Sequence, residues 1–418
     1  MKNSKTYIFI AVVVVLILAF LGLNAYQNST AKTEIGWGGA YDTCMNASLQ
    51  AEVENMGYEV TCLGENMGSS SLPKLIGDPN VERVDLLVTS STETAQKIKD
   101  MYGPDQFTSS YSALFSSPIL PLIKREDAHV LIEPGIIEQR GNYLFITNEM
   151  LNKIYQLQAT RTAVWGDLGV TDPNWKDAAI ILSASNPFAS GTGRTAIGYA
   201  GTCLSTSNTG QIPCSRTLDY NSIDDQLKEQ LRGIYVSYGS QSEDGNTINY
   251  MKQWMYDSNV VLMIMGSESF PMLFASDQGN PAYVEDMMVI YTTYAFNTAQ
   301  FGHPTSPEGE KFIQDFLRNP KIAEIVNKEL GSRMGYENSM LPSDAASWVP
   351  SIDPLTYIQP AASNINAPIL CYIGAKEKVS AKLMWMTTFG QKANDDESAA
   401  ADGRSFEEAV AAYCTENQ

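Results

Sequence analysis

From Tyr7 to Leu23 the chain carries no charge: YIFIAVVVVLILAFLGL is dominated by Val, Ile and Leu. Water does not tolerate such a segment exposed. At a helical rise of about 1.5 Å per residue, the stretch bounded by Tyr7 and Tyr26 spans roughly 30 Å, close to the hydrocarbon thickness of a bilayer. A Tyr stands at each end, as interfacial anchors do. Lys2 and Lys5 lie on the short side, so the positive-inside rule makes residues 1–6 a cytoplasmic stub, residues 7–26 a transmembrane anchor, and the remainder an exported body. A cleaved signal peptide, cut after Ala25, is the alternative. It would place Leu23 at a position that prefers smaller residues, so the uncleaved anchor is favoured. Both readings export the body, and no Cys follows the apolar run to carry a lipid.

Cysteine usage fits that compartment. Cys44, Cys62, Cys203, Cys214, Cys371 and Cys414 fall as three sequence-local pairs, and neighbours in sequence close the cheapest loops. The expected disulfides are Cys44 with Cys62, Cys203 with Cys214, and Cys371 with Cys414, against the alternative of buried free thiols. No spacing matches a metal-binding Cys motif, and neither metal nor cofactor is expected.

With 47 acidic and 28 basic residues, the chain has a formal charge of −19. Such a surface repels phosphate backbones, which argues against a nucleic-acid partner. A chain of 418 residues, 44% hydrophobic, exceeds one ordinary core and implies two lobes.

Beyond the spacer QNSTAKT, strand-like and helix-like segments alternate. TEIGWGG reads as a strand ending in glycines, Met45–Asn55 as a helix, and Tyr58–Gly64 as a strand. Val84–Ser90 is a continuous apolar run of the kind a buried parallel strand shows, followed by a helix capped near Thr92. Ser116–Asp127 has an apolar middle that suits a strand crossing between lobes. A further strand is expected through Ile180–Leu182, leading by a Gly-rich loop into a helix near Gly191. Asn259–Phe270 holds another strand, and Met287–Phe296 carries the chain back. The segment from Ser306 to Tyr336 is helical, with Phe312, Phe316, Ile322, Ile325, Val326 and Leu330 forming apolar faces. Strand, capped helix, strand is the grammar of a doubly wound α/β sheet.

SNPFASGTGRT, Ser185 to Thr195, is the most chemically suggestive stretch. A strand entering a Gly-rich loop and then a helix aims bare N–H groups and the positive dipole end at one spot. Ser190, Gly191 and Thr192 supply donors. Arg194, in the first helical turn, opposes the dipole, and a bound carboxylate or oxyanion would explain it; the plain alternative is an ordinary helix cap. The loop lacks the first Gly and the Lys of a nucleotide-binding P-loop. Other polar elbows end apolar strands: Gly38 and Gly39, Ser90 and Ser91, and Ser267 and Glu268 with Ser269. Ser116 and Ser117 open the crossover. In open α/β sheets ligands bind outside the carboxyl ends of strands, so elbows from two lobes can line one cleft.

Catalytic readings have few parts to use. His129 and His303 are the two histidines, and neither GxSxG nor HExxH occurs. His303, in FGHPTSPEG, reads as a loop residue. Ser71 to Lys74 spells SxxK and Tyr336 to Asn338 spells YxN, yet no KTG accompanies them and Pro73 breaks the helix that Ser and Lys would share.

The order of these segments resembles that of the type II periplasmic-binding-protein family, the extracellular solute-binding proteins of bacterial uptake systems. The carriers are VDLLVTSST, YSALFSSPILPLIKRED, WGDLGV with SNPFASGTGR, and VIYTTYAF followed by HPTSPEGEKFIQDFLRNPKIAEIVNKELGSRMG, together covering roughly Thr33 to Tyr336. The resemblance implies a two-lobed α/β fold: residues 33–120 with 288–418 as lobe 1 and a C-terminal extension, and residues 121–287 as lobe 2. In anion-binding members the loop matching Ser190, Gly191 and Thr192 donates to the ligand, and Ser90, Ser91, Ser116 and Ser117 face it from the other lobe. The implied protein is a non-enzymatic, membrane-anchored binder of a small ligand, anionic if Arg194 contacts it, served by a membrane transporter or receptor. The tail beyond Tyr336, the pairs Cys203 with Cys214 and Cys371 with Cys414, and the anchor depart from the family pattern. A membrane-anchored scaffold that kept the fold without the ligand is the second reading, and an exported serine hydrolase the third.

Overall fold

The computed structural model describes residues 33–38, 44, 46–63, 84–89, 111–141, 143–188, 190–206, 213–214, 223–238, 247–256, 261–278, 283–335, 356–358, 367–381, 383–384 and 405–416. The apolar segment 7–26, the elbow residues Gly39, Ser90 and Ser91, the helix expected near Thr92 and the SxxK and YxN segments lie outside them. Among the described residues, no helix is long and apolar enough to cross a membrane.

Among the described residues, twelve strands form the framework: β1 (Thr33–Trp37), β2 (Tyr58–Cys62), β3 (Leu86–Thr89), β4 (Ser112–Lys124), β5 (Glu138–Arg140), β6 (Tyr143–Phe145), β7 (Leu182–Ser183), β8 (Met263–Ser267), β9 (Met287–Tyr291), β10 (Tyr294–Pro304), β11 (Arg333–Met334) and β12 (Thr356–Ile358). In a first region the order is β2-β1-β3-β10-β4. β1 pairs in parallel with β2 and β3, while β10 runs antiparallel to β3 and β4. Parallel strands need crossover connections, and α1 (Ala47–Asn55) supplies one between β1 and β2. Asn46 caps it by accepting from Leu49 N at 2.8 Å.

The 13-residue β4 belongs to two regions. From Ser112 to Ile119 it pairs with β10, and from Ile119 to Lys124 with β8 and β9, all antiparallel. Pro118 and Pro121, which lack an N–H, are tolerated in this buried strand because it changes neighbours there: the β8 ladder begins at Ile119 and the β9 ladder at Leu122. The chain returns through β9 and β10, separated by Thr292 and Thr293. Among the described residues, two passages within the sheet, at Pro118–Ile119 and Thr292–Thr293, connect the regions. His303 lies in β10, opposite Leu87 of β3, rather than in the loop its glycine and proline neighbours suggest. Pro304 closes the strand, and the helix cap comes two residues later at Ser306.

The second region carries helices α2 (Asn148–Thr160), α3 (Gly191–Thr206), α4 (Asp225–Ser237), α5 (Thr247–Tyr256) and α6 (Phe270–Gln278). α7 (Pro307–Arg318) and α8 (Pro320–Lys328) return to the first. Ser306 and Asn319 cap them, and each has Pro at its first position, where the missing N–H costs nothing. Their expected faces are buried: Phe312, Phe316, Ile322, Ile325, Val326 and Leu330 join Ile35, Trp37 and Phe115 in one core. A second core on α2, α3 and α4 holds Leu151, Tyr155, Trp165, Tyr199 and Leu231, and a third, on the opposite sheet face, holds Leu120, Leu122, Trp254, Phe270 and Phe274.

Three disulfides join Cys44 to Cys62, Cys203 to Cys214 and Cys371 to Cys414. The last ties α9 (Ala367–Glu377) to α10 (Phe406–Glu416). The sequence reading placed the C-terminal extension with the first region, but these helices pack on the second. Ile369, Ile373, Phe406 and Val410 enter the α2–α4 core. Arg232 of α4 donates to Glu377 at 2.8 Å, and Tyr372 OH donates to Glu229 at 2.8 Å.

Candidate functional site

The carboxyl ends of β1, β3, β7 and β8 and the β4 passage carry the polar residues singled out above. Gly38 directly follows β1, where its N–H donates to Val88 O at 2.9 Å, which joins β1 to the end of β3. At that end, Thr89 Oγ1 lies 3.0 Å from His303 Nε2, both buried.

Ser117, Ser267 and Ser269 form a buried hydroxyl cluster between β4 and the end of β8. Ser267 Oγ donates to Ser117 Oγ at 2.6 Å, Ser269 N donates to the same oxygen at 3.1 Å, and Ser267 and Ser269 hydroxyls lie 2.7 Å apart. A hydroxyl has two acceptor sites and one donor. Both acceptor sites of Ser117 are taken, which leaves its own O–H to point at an acceptor. Ser116 Oγ is buried and has no partner among the described residues.

On β7's side, the backbone turns sharply after Ser185. Ser190 Oγ accepts from Ser185 Oγ at 2.8 Å and from Gly193 N at 3.3 Å, so Ser190 caps α3. Gly193 is required: a Cβ there would stand 2.0 Å from Ser185 O, so the helix start lies directly on the loop. Gly191 is exposed, and Thr192 and Arg194 are half-buried in the first turn of α3. Within this first turn Gly193 N donates to Ser190 Oγ and Arg194 N to Ser190 O at 3.0 Å, so the cap itself takes these N–H groups. Tyr250 OH donates to Ser183 Oγ at the end of β7, and burial pushes that phenol up to about 12.

Glu268 is the candidate whose surroundings depart most from a ligand contact. It is fully buried and accepts from Arg333 Nε at 2.8 Å, from Arg333 through a second nitrogen at 2.6 Å, and from Tyr291 OH at 2.9 Å. A buried carboxylate needs such partners, and here the protein itself supplies them. Arg333 and Tyr291 carry no local motif that marks them.

Asn148 was likewise missed. Its Oδ1 accepts from Thr292 Oγ1 at 2.9 Å and from Tyr294 N at 3.3 Å, and its Nδ2 donates to Tyr294 O at 3.4 Å. Tyr199 OH donates to the same carbonyl, and burial raises its phenol pKa. One amide thus holds the second passage of the chain. A capping position before α2 was the one available signal, and it belongs to Thr147. Among the described residues no cluster of His, Cys, Asp and Glu could hold a metal.

No protein-family model matches the sequence, and comparison with curated proteins finds no match. Solved structures do match the fold. An extracellular solute-binding protein from Bordetella parapertussis superposes with a TM-score of 0.52 at 10% identity, over 84% of this chain and 99% of its own. The bacterial solute receptor AcbH, described by its preference for β-D-galactopyranose, superposes with a TM-score of 0.50 at 11% identity, over 85% and 96%. At these identities the likeness is one of fold, and the fold of this chain is the mixed α/β, two-lobed fold of bacterial solute-binding proteins.

Proposed function

We propose that the chain is an extracytoplasmic solute-binding protein, without catalytic activity, that closes two lobes on a small ligand. One lobe is built on β1–β3 with α7 and α8, the other on β7–β9 with the C-terminal helices. Residues 7–26 tether it to the membrane, and a membrane transporter or receptor takes up the ligand. The observation that supports this reading best is the Ser117–Ser267–Ser269 cluster: hydroxyls drawn from two strands, one of them a passage strand, with Ser117 keeping an O–H to spend. Ser190, Gly191, Thr192, Arg194 and Gly38, with Gly39, Ser90 and Ser91, are the further contacts of this reading, and Ser116 backs Ser117 from the other face of β4. Arg194 and the start of α3 favour an anionic ligand.

The test is thermal unfolding of the exported body with sugars, amino acids, carboxylates and inorganic anions. A ligand at a hundred times its dissociation constant stabilises by about 2.7 kcal/mol. A hit abolished by Ser117→Ala supports the site. A second reading, a membrane-anchored interaction protein without ligand, is favoured by one observation: Glu268, the acidic residue expected in the cleft, is spent on Arg333. A full panel without any shift would select it.

A further inference from the structure

Alternation along β4 separates two faces at the passage. Ser117 points to the face that carries the serine cluster, and Ser116 to the other. Arg333 of β11 is the register partner of Ser116, so it shares the face behind the serines. There it meets Glu268, which follows the last residue of β8. Side chains of the pair are 1% and 0% exposed.

Residue 268 also holds both passages. Its backbone N–H donates to Pro118 O at 2.8 Å, at the first passage. Its carboxylate accepts from Tyr291 OH at 2.9 Å, and Tyr291 is the last residue of β9 before the second passage. Arg333 brings in the first region, because β11 pairs with the part of β4 that pairs with β10. One residue is therefore bonded to both passages and, through Arg333, to the far side of them.

Desolvating two charges offsets most of what their attraction returns, so a fully buried pair is a poor source of stability and a good means of holding one geometry. From this the geometry points to a conformational role: the Glu268–Arg333 pair, with Tyr291, is a brace on the back of the hinge that confines the two lobes to one relative orientation in the absence of ligand. It leaves the serines on the opposite face free of charge. The inference rests on the two-lobe reading proposed above and is independent of which ligand binds.

Its test uses the ligand-free protein. All six cysteines are disulfide-bonded, so single cysteines placed at Glu54 on α1 and Gln156 on α2, both exposed, accept spin labels selectively. Pulsed dipolar spectroscopy then reads the distance between the lobes. The parent protein should give one narrow distribution. Glu268→Gln and Arg333→Met should each broaden it or add a longer distance. A single substitution strands a buried charge and can fail to fold, so the decisive variant is Glu268→Leu with Arg333→Met and Tyr291→Phe, which removes the charges and the unpaired hydroxyl together. Broadening in a folded triple variant supports the brace; a distribution as narrow as the parent's overturns it. A ligand screen without hits leaves this result standing, so failure of the solute-binding reading and failure of the brace are told apart.

Discussion

Gln158 of α2 stands in for a missing strand beside Leu182: its Oε1 accepts from Leu182 N at 3.2 Å, and its Nε2 donates to Leu182 O at 3.3 Å. β7 pairs on its other side with β8, so the side-chain amide completes the ladder where an edge would otherwise stay open. Gln158→Met keeps the volume and strands both backbone groups in the interior. We expect a loss of about 2–4 kcal/mol from two buried unsatisfied groups, measured by urea unfolding. A loss below 1 kcal/mol would show that water replaces the amide.

Gly193→Ala drives a methyl into the Ser185 carbonyl at the start of α3. The contact is with backbone, which cannot rotate away, so we expect about 1–3 kcal/mol of destabilisation from overpacking. Gly191→Ala, with open space around it, serves as the control and should change stability far less. Equal effects at the two positions would refute the packing account.

Cys371 and Cys414 are 43 residues apart and pin α10 to α9. In the chain-entropy account, closing a loop of that length stabilises by about 4 kcal/mol. Replacing both by Ser should lower the unfolding midpoint, and limited proteolysis should then release α10 first, because the disulfide is its covalent tie to α9, which packs on α4. Cleavage elsewhere would show that the tail is held by other means.

Burial raises the phenols of Tyr155, Tyr199, Tyr238 and Tyr250 above the ordinary value of 10.0, Tyr250 to about 12. A proton held more tightly by the fold than by the unfolded chain contributes stability that is whole below about pH 10 and falls as pH rises through the folded value. We expect stability to drop steeply above pH 10, with a late group of tyrosines ionising together with unfolding in a tyrosinate absorbance titration. Tyr250→Phe should flatten that drop. Independence of stability from pH between 10 and 12 would contradict the burial of these groups.

Much of the architecture is legible without coordinates, because it depends on neighbours in sequence. Apolar runs mark β3, β4, β8 and β9, apolar faces mark α7 and α8, and cysteines neighbouring in sequence pair as the three disulfides. Even Ser190's place ahead of α3 follows from a glycine-rich turn after an apolar strand. What the tertiary structure alone decided is the fate of side chains whose partners lie far along the chain. Glu268 reads as a polar elbow residue until β11 brings Arg333, 65 residues later, to within 2.6 Å. His303 reads as a loop residue until β10 extends past it to pair with β3, and the tail reads as part of the first lobe until α4 presents Arg232 to Glu377. Register and crossing order determine these meetings, and they arise from the packing of the whole sheet. A local pattern holds the periodicity of one element, and no local pattern holds the identity of the residue across from it.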